Sequence, residues 1–125
     1  MEQDAAASAA MQILMGAGEA RKFVSEAIGA IADWDYGLAT DYLAQAQEAL
    51  REAHVVHTDI IQAEAGGAAA VGFPVLFSHA QDTMMTTDSE IRLVRKLLVV
   101  FRAVGERLDA VAPHTDATDG TRENC

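Results

Sequence analysis

Apolar positions along most of this chain recur three and four residues apart, the spacing of amphipathic helices. From about Ala9 to Ala32, Ile13, Leu14, Ala17, Ala20, Val24, Ala27, Ile28 and Ile31 keep this step, and the pattern stops at Asp33. The string "DWDYG" then reads as a short connection. A second run places Leu38, Tyr42, Ala46, Ala49, Leu50, Ala53, Val56, Ile60 and Ala63 on one face, and is expected to end near "AGG", because Gly66 and Gly67 terminate helices. After a loop to Phe73, Pro74 suits the first position of a third helix, where its missing N–H costs nothing.

The third helix is the longest of the three. Phe77, Ala80, Met84, Thr87, Ile91, Val94, Leu98, Phe101, Gly105 and Leu108 alternate steps of three and four, the seam of a left-handed bundle in which Thr87 and Gly105 are the weak members. Leu93, Leu97, Val100 and Val104 form a second apolar stripe beside it. That is more apolar width than one helical hairpin can cover, so self-association is expected. The pattern predicts an all-α fold, an antiparallel three-helix bundle over residues 9–112, with flexible tails at 1–8 and 113–125.

Composition narrows the class. The 125 residues are half apolar, only 6% aromatic and rich in alanine in the first half, which favours closely packed helices over a sheet or a disordered chain. A formal charge of −10 argues against nucleic acid or an anionic membrane as partner. The single cysteine, Cys125, permits neither an intrachain disulfide nor a cysteine zinc framework. With no signal-peptide pattern in "MEQDAAASAA" and no apolar run of membrane-spanning length, a cytoplasmic protein is expected.

The histidines are the candidate chemistry. His114 falls in the tail and reads as solvated. His54 and His57, three apart, share a helix face but make a weak metal signal alone. A di-iron bundle would need Glu-x-x-His, yet the positions three before His54, His57 and His79 hold Arg51, His54 and Leu76. Ser78 and His79 are adjacent on a helix, so their side chains diverge and form no hydrolase pair. "GAGEAR" lacks the preceding strand and the spacing of a phosphate loop. His79 differs, because Asp82 and Thr83 follow at three and four residues on the same side, with Gln81 nearby. A lone helical histidine is most often structural, but an imidazole can also attack a phosphoryl group and release it near neutral pH.

Residues 79–86, "HAQDTMMT", resemble the "HAQDHLMT" or "HGQDHLMT" string of the lactose/cellobiose-type enzyme IIA of the bacterial phosphoenolpyruvate:sugar phosphotransferase system. "EAHVVHTDIIQAEAGG" at 52–67 is similar to that family's "EAHxxQTxLIxxEAxG", and "AGEARKFVSEAI" at 17–28 to its "AGDARSxxxEAL". The resemblance covers about residues 11–108. It implies a subunit that assembles as a homotrimeric nine-helix bundle. It further implies that His79 accepts a phosphoryl group from HPr and hands it to a cysteine of the sugar-specific enzyme IIB, for uptake of a lactose, cellobiose or chitobiose-type sugar. By the same resemblance Asp82 lies on the trimer axis and holds Mg2+. Gln81 and Thr83, beside His79, are expected to orient the imidazole or the phosphoryl group. Three converging carboxylates would need protonation or a cation, and a hard divalent ion is the simplest remedy.

Two positions depart from the family pattern. Thr83 stands where the family has a second histidine, and His57 where it has a glutamine; His57 either fills the role of the missing imidazole or, the favoured reading, is a tolerated surface change. Two other classes compete. One is a two-component histidine phosphotransfer or kinase dimerisation module, whose H-box "SHELRTPL" shares the serine, histidine and threonine of "SHAQDTMM", but its acidic residue and proline are Ala80 and Met84 here. A non-catalytic helical adaptor or metal-binding bundle with a structural His79 is the other alternative.

Overall fold

A computed structural model describes residues 2–66 and 75–112, with side chains from residue 5 onward. It contains three helices, α1 (Glu2–Ala32), α2 (Tyr36–Ala65) and α3 (Val75–Val111), and no strand among the described residues. The loop around Pro74, the C-terminal tail with His114, and Cys125 lie outside the described residues. Helix α1 begins at Glu2 rather than near Ala9. Alanine is the best helix former and gives little hydrophobic periodicity, so the helix extends through Ala5–Ala7, and Ala6 is already buried.

The first turn of chain reversal is tight. Trp34 N–H donates to the Ile31 carbonyl and Asp35 N–H to the Ala30 carbonyl, both at 2.9 Å. These are the paired bonds of a Schellman C-cap, with Trp34 in the left-handed position that glycine normally takes, at φ 59°. Asp35 then caps α2, its side chain accepting from Leu38 N–H at 3.1 Å. At the far end Gly66 closes α2, its N–H reaching the Gln62 carbonyl at 2.9 Å, where the sequence predicts the stop.

All three helices pack on one another. Phe23 against Tyr42 and Gly16 against Ala53 make α1 and α2 antiparallel, while His57 against Phe77 and Tyr36 against Phe101 do the same for α2 and α3. In α1 the buried seam is Ala6, Ala10, Ile13, Ala17, Ala20, Val24, Ala27 and Ile31, an unbroken four-three step. Its alanines let α2 come close. A Cβ on Gly16 would sit 3.2 Å from both the Ala49 carbonyl oxygen and Ala53 Cβ.

The start of α2 is rotated by one residue from the sequence expectation. Ala39 and Leu43 face the core, whereas Leu38 is 43% exposed and Tyr42 lies at the rim, stacked on Phe23 with ring centroids 6.5 Å apart. The small Ala39 fits against the alanine-rich α1, and the seam Ala39, Leu43, Ala46, Leu50, Ala53 stays continuous. Helix α3 buries Phe77, Ala80, Met84, Thr87, Ile91, Val94, Leu98 and Gly105 as expected. Thr87 satisfies its hydroxyl on the Thr83 carbonyl at 2.7 Å. Phe101 and Leu108 are exposed instead of buried, because α3 runs past the α1–α2 turn and only Trp34 and Tyr36 remain to cover it.

Candidate functional site

His79 occupies the second turn of α3, exposed to solvent. Two residues earlier Phe77 is fully buried, so the roughly 100° advance per residue turns His79 about 200° from the core-facing ring. On the same count His79, Asp82, Thr86, Leu93, Leu97, Val100 and Val104 fall within a strip roughly 60° wide, opposite the buried seam. All seven are exposed. His79, Asp82 and the second apolar stripe therefore share one outward face.

The threonines after His79 bond to their own helix. Thr83 Oγ1 donates to the His79 carbonyl at 2.9 Å, Thr86 Oγ1 to the Asp82 carbonyl at 2.7 Å, and Thr87 Oγ1 to Thr83. Such bonds to the residue four back are typical of helical threonine and bend the helix slightly. Thr83 thus meets His79 through its backbone, and its proton is committed there. Gln81 lies two residues on, where side chains do not face each other. Of the sequence-predicted set, the fold brings His79 and Asp82 to one face, places Thr83 half-buried beside them, and turns Gln81 away. Among the described residues no side chain hydrogen-bonds the His79 ring.

His57 does not occupy the surface site that the sequence reading gave it. It takes the next four-residue step of the α2 seam after Ala53, half-buried, and its ring lies parallel to that of Phe77 at 5.8 Å with an interplanar angle of 6°. Its Nε2 is buried without a hydrogen-bond partner among the described residues. Burial, and secondarily the neighbouring His54, push its pKa below the usual imidazole value. Because Phe77 and His79 project from different sides of α3, His57 does not stand in for the histidine missing at position 83. No group of three histidine, cysteine or acidic side chains converges among the described residues, so His54 and His57 form no metal site of that kind.

A second cluster lies at the far end of α3, where the expected connection "DWDYG" meets the last seam positions of that helix. Tyr36 Oη donates to the Phe101 carbonyl at 3.1 Å, Arg102 lies 5.4 Å from the Tyr36 ring centroid, and Trp34 meets Tyr36 edge-on. Both aromatic rings rest on Gly105. The signal available was a glycine within an otherwise apolar seam.

The family described as "PTS system, Lactose/Cellobiose specific IIA subunit" matches residues 8–102, most of the chain. The chain belongs to this enzyme IIA family. The oligo-β-mannoside-specific EIIA component of Bacillus subtilis (strain 168) is 33% identical over 73% of this chain and 82% of that protein. The N,N'-diacetylchitobiose-specific EIIA component of Escherichia coli (strain K12) is 30% identical over 80% of this chain and 82% of that protein. Among solved structures, the cellobiose-specific enzyme IIA of Bacillus anthracis superposes with a TM-score of 0.74 at 29% identity, covering 86% of this chain and 94% of that one. As an enzyme IIA, the chain is a phosphotransferase component, a phosphoryl carrier of a sugar phosphotransferase system. The H-box and adaptor alternatives give way to this assignment. No helix among the described residues is long and apolar enough to cross a membrane.

Proposed function

We propose that His79 is the phosphoryl acceptor, loaded by phospho-HPr and discharged to a cysteine of enzyme IIB that serves a lactose, cellobiose or chitobiose-type sugar. The observation that carries this reading is the exposure of His79 on the outward face of α3, at the head of the "HAQD" string. In the first transfer the lone pair on Nε2 attacks phosphorus, and the P–N bond to the HPr ring breaks with its electron pair returning to that ring. In the second, a cysteine thiolate attacks the same phosphorus, and the pair of the breaking P–N bond returns to Nε2 of His79. Nothing is oxidised or reduced, and no nucleotide is required.

Thr83 meets this site through the His79 carbonyl, a backbone contact in the turn that presents the ring. The departure from the family's histidine leaves phosphoryl acceptance intact, because the nucleophile is unchanged. Gln81 would meet the phosphoryl group only from another subunit.

The same face supports a homotrimer. Leu93 and Val100 are 57% and 52% exposed, an apolar stripe too broad to leave in water, and it continues the line of Asp82. Packed about a three-fold axis, three copies would bring three Asp82 carboxylates together. One chain offers a single carboxylate there, so Mg2+ would need the ligands of three copies; its charge would offset their mutual repulsion.

A reconstituted relay tests the function. With labelled phosphoenolpyruvate, enzyme I, HPr and enzyme IIB, label should reach the IIB cysteine when the wild-type chain is added. It should not when His79→Ala replaces it. Label on IIB with the variant would refute the role of His79.

A further inference from the structure

We propose that His57 is a positioning residue for His79: its ring, stacked on Phe77, anchors the opening turns of α3, and protonation of that ring loosens the anchor. The link to His79 rests on the phosphoryl-carrier reading above, whereas the anchor itself does not.

Three observations carry it. Helix α3 opens with Val75 and Leu76, 87% and 36% exposed, so Phe77 is its first described residue seated in the core. Phe77 and Ala80, both fully buried, therefore bracket His79, and Phe77 is the large side chain that holds the turn. The ring laid flat on Phe77 is that of His57, from the antiparallel helix α2. Finally, Nε2 of His57 is buried with no acceptor among the described residues, so a proton added there would be carried by a desolvated nitrogen facing no anion.

The groups around this ring give no relief. On α2, His54 lies one turn before it and adds positive charge. On α3, Gln81 shares the Phe77 side, four residues on, and carries no charge. On α1, the contact of Gly16 with Ala53 places Gln12 and Ile13 at the level of His57, one an amide and the other apolar. No described carboxylate shifts the titration of the ring. Attraction of an imidazolium to the Phe77 face offsets part of the desolvation. The net effect still favours the neutral ring.

The consequence is a carrier whose acceptor turn is firm at neutral pH and loosens on acidification. A glutamine at position 57, the residue of the family string, would remove that sensitivity while keeping a polar side chain of similar reach. The anchor is a property of this chain's own substitution.

Amide hydrogen exchange at residues 75–81, corrected for intrinsic rates, is the direct test, run on the full chain at pH 7.5 and pH 5.5. The wild type should lose protection there at pH 5.5, by at most about tenfold, the limit set by one pH unit below the ordinary imidazole value. His57→Gln should stay within about twofold, on the same scale. His57→Ala should show reduced protection at both pH values, with circular dichroism confirming that it is folded. An equal response in wild type and His57→Gln, or undiminished protection in His57→Ala, would overturn the anchor.

The second readout is the rate of phosphoryl gain from phospho-HPr. The wild-type rate divided by the His57→Gln rate should fall as pH falls, which cancels the titration of His79 itself. A constant ratio would overturn the positioning role. Failure of both proteins to gain a phosphoryl group at any pH would refute the carrier reading, and the exchange data would still decide the anchor.

Discussion

Replacing Gly105 with alanine tests how α3 is held at the end remote from His79. In an open helix the change would stabilise by about 1 kcal/mol, because glycine carries the larger backbone entropy cost. Here the added Cβ would overlap Tyr36 Oη and lie 3.2 and 3.3 Å from two carbons of the Trp34 ring. Tyr36 cannot yield without lengthening its 3.1 Å bond to the Phe101 carbonyl, and Trp34 is held by the capping bonds of the α1–α2 turn. Overpacking costs roughly 1–3 kcal/mol and a lost hydrogen bond about 0.5–1.5 kcal/mol. Set against the gain in propensity, the net destabilisation should be about 2 kcal/mol.

Urea unfolding at fixed protein concentration measures it, since self-association would otherwise shift the midpoint. Gly18→Ala supplies the control: nothing lies within 4 Å of its Cβ position, so it should stabilise by about 1 kcal/mol. In a double-mutant cycle, Tyr36→Phe should relieve part of the Gly105→Ala penalty by removing the overlapping oxygen. A Gly105→Ala protein as stable as wild type, or more so, would refute the clasp.

Other outcomes follow from the same geometry. Under the proposed trimer the wild type should sediment as three copies, and Leu97→Glu, which places a carboxylate on the outward stripe, as one, while circular dichroism stays helical; an unchanged profile would remove that stripe from the interface. For His57 the folded pKa lies below the unfolded value of about 6.5, so its contribution to stability is present above about 6.5 and is lost as pH falls from there through the folded pKa. The urea midpoint should therefore drop between pH 7.5 and 5 more in wild type than in His57→Gln, and equal drops would exclude His57 as the cause. Thr83→Val should cost about 0.5–1.5 kcal/mol of stability through the lost bond to the His79 carbonyl. It should leave the rate of phosphoryl acceptance within about threefold, whereas a collapse of that rate would mean the hydroxyl acts on the ring or the phosphoryl group.

The α3 seam from Phe77 to Leu98 was legible in the sequence, because large apolar residues there keep one step with little competition nearby. Register at the start of α2 was not. Leu38 and Tyr42 compete with Ala39 and Leu43 one residue round the helix, and only the close approach of α1 selects the smaller pair. Alanine likewise hid the N-terminal turns of α1, since it favours helix while giving little contrast between faces.

At the site, the "HAQD" string pointed to His79, and helix geometry alone puts Asp82 and the apolar stripe on its face. The inward place of His57 was also written in the four-three step from Ala53. It was masked by reading the residue as a departure from a family string rather than as a seam position. The left-handed Trp34 had no local signal, because its conformation is imposed by the cap and by the glycine it covers.

Intact mass after incubation with phosphoenolpyruvate, enzyme I and HPr tests the central claim most directly, comparing wild type with His79→Ala. A gain of one acid-labile phosphoryl group by the wild type, absent from the variant, is the predicted result. No gain in the wild type, or an equal gain in the variant, would contradict the assignment of His79 as the carrier.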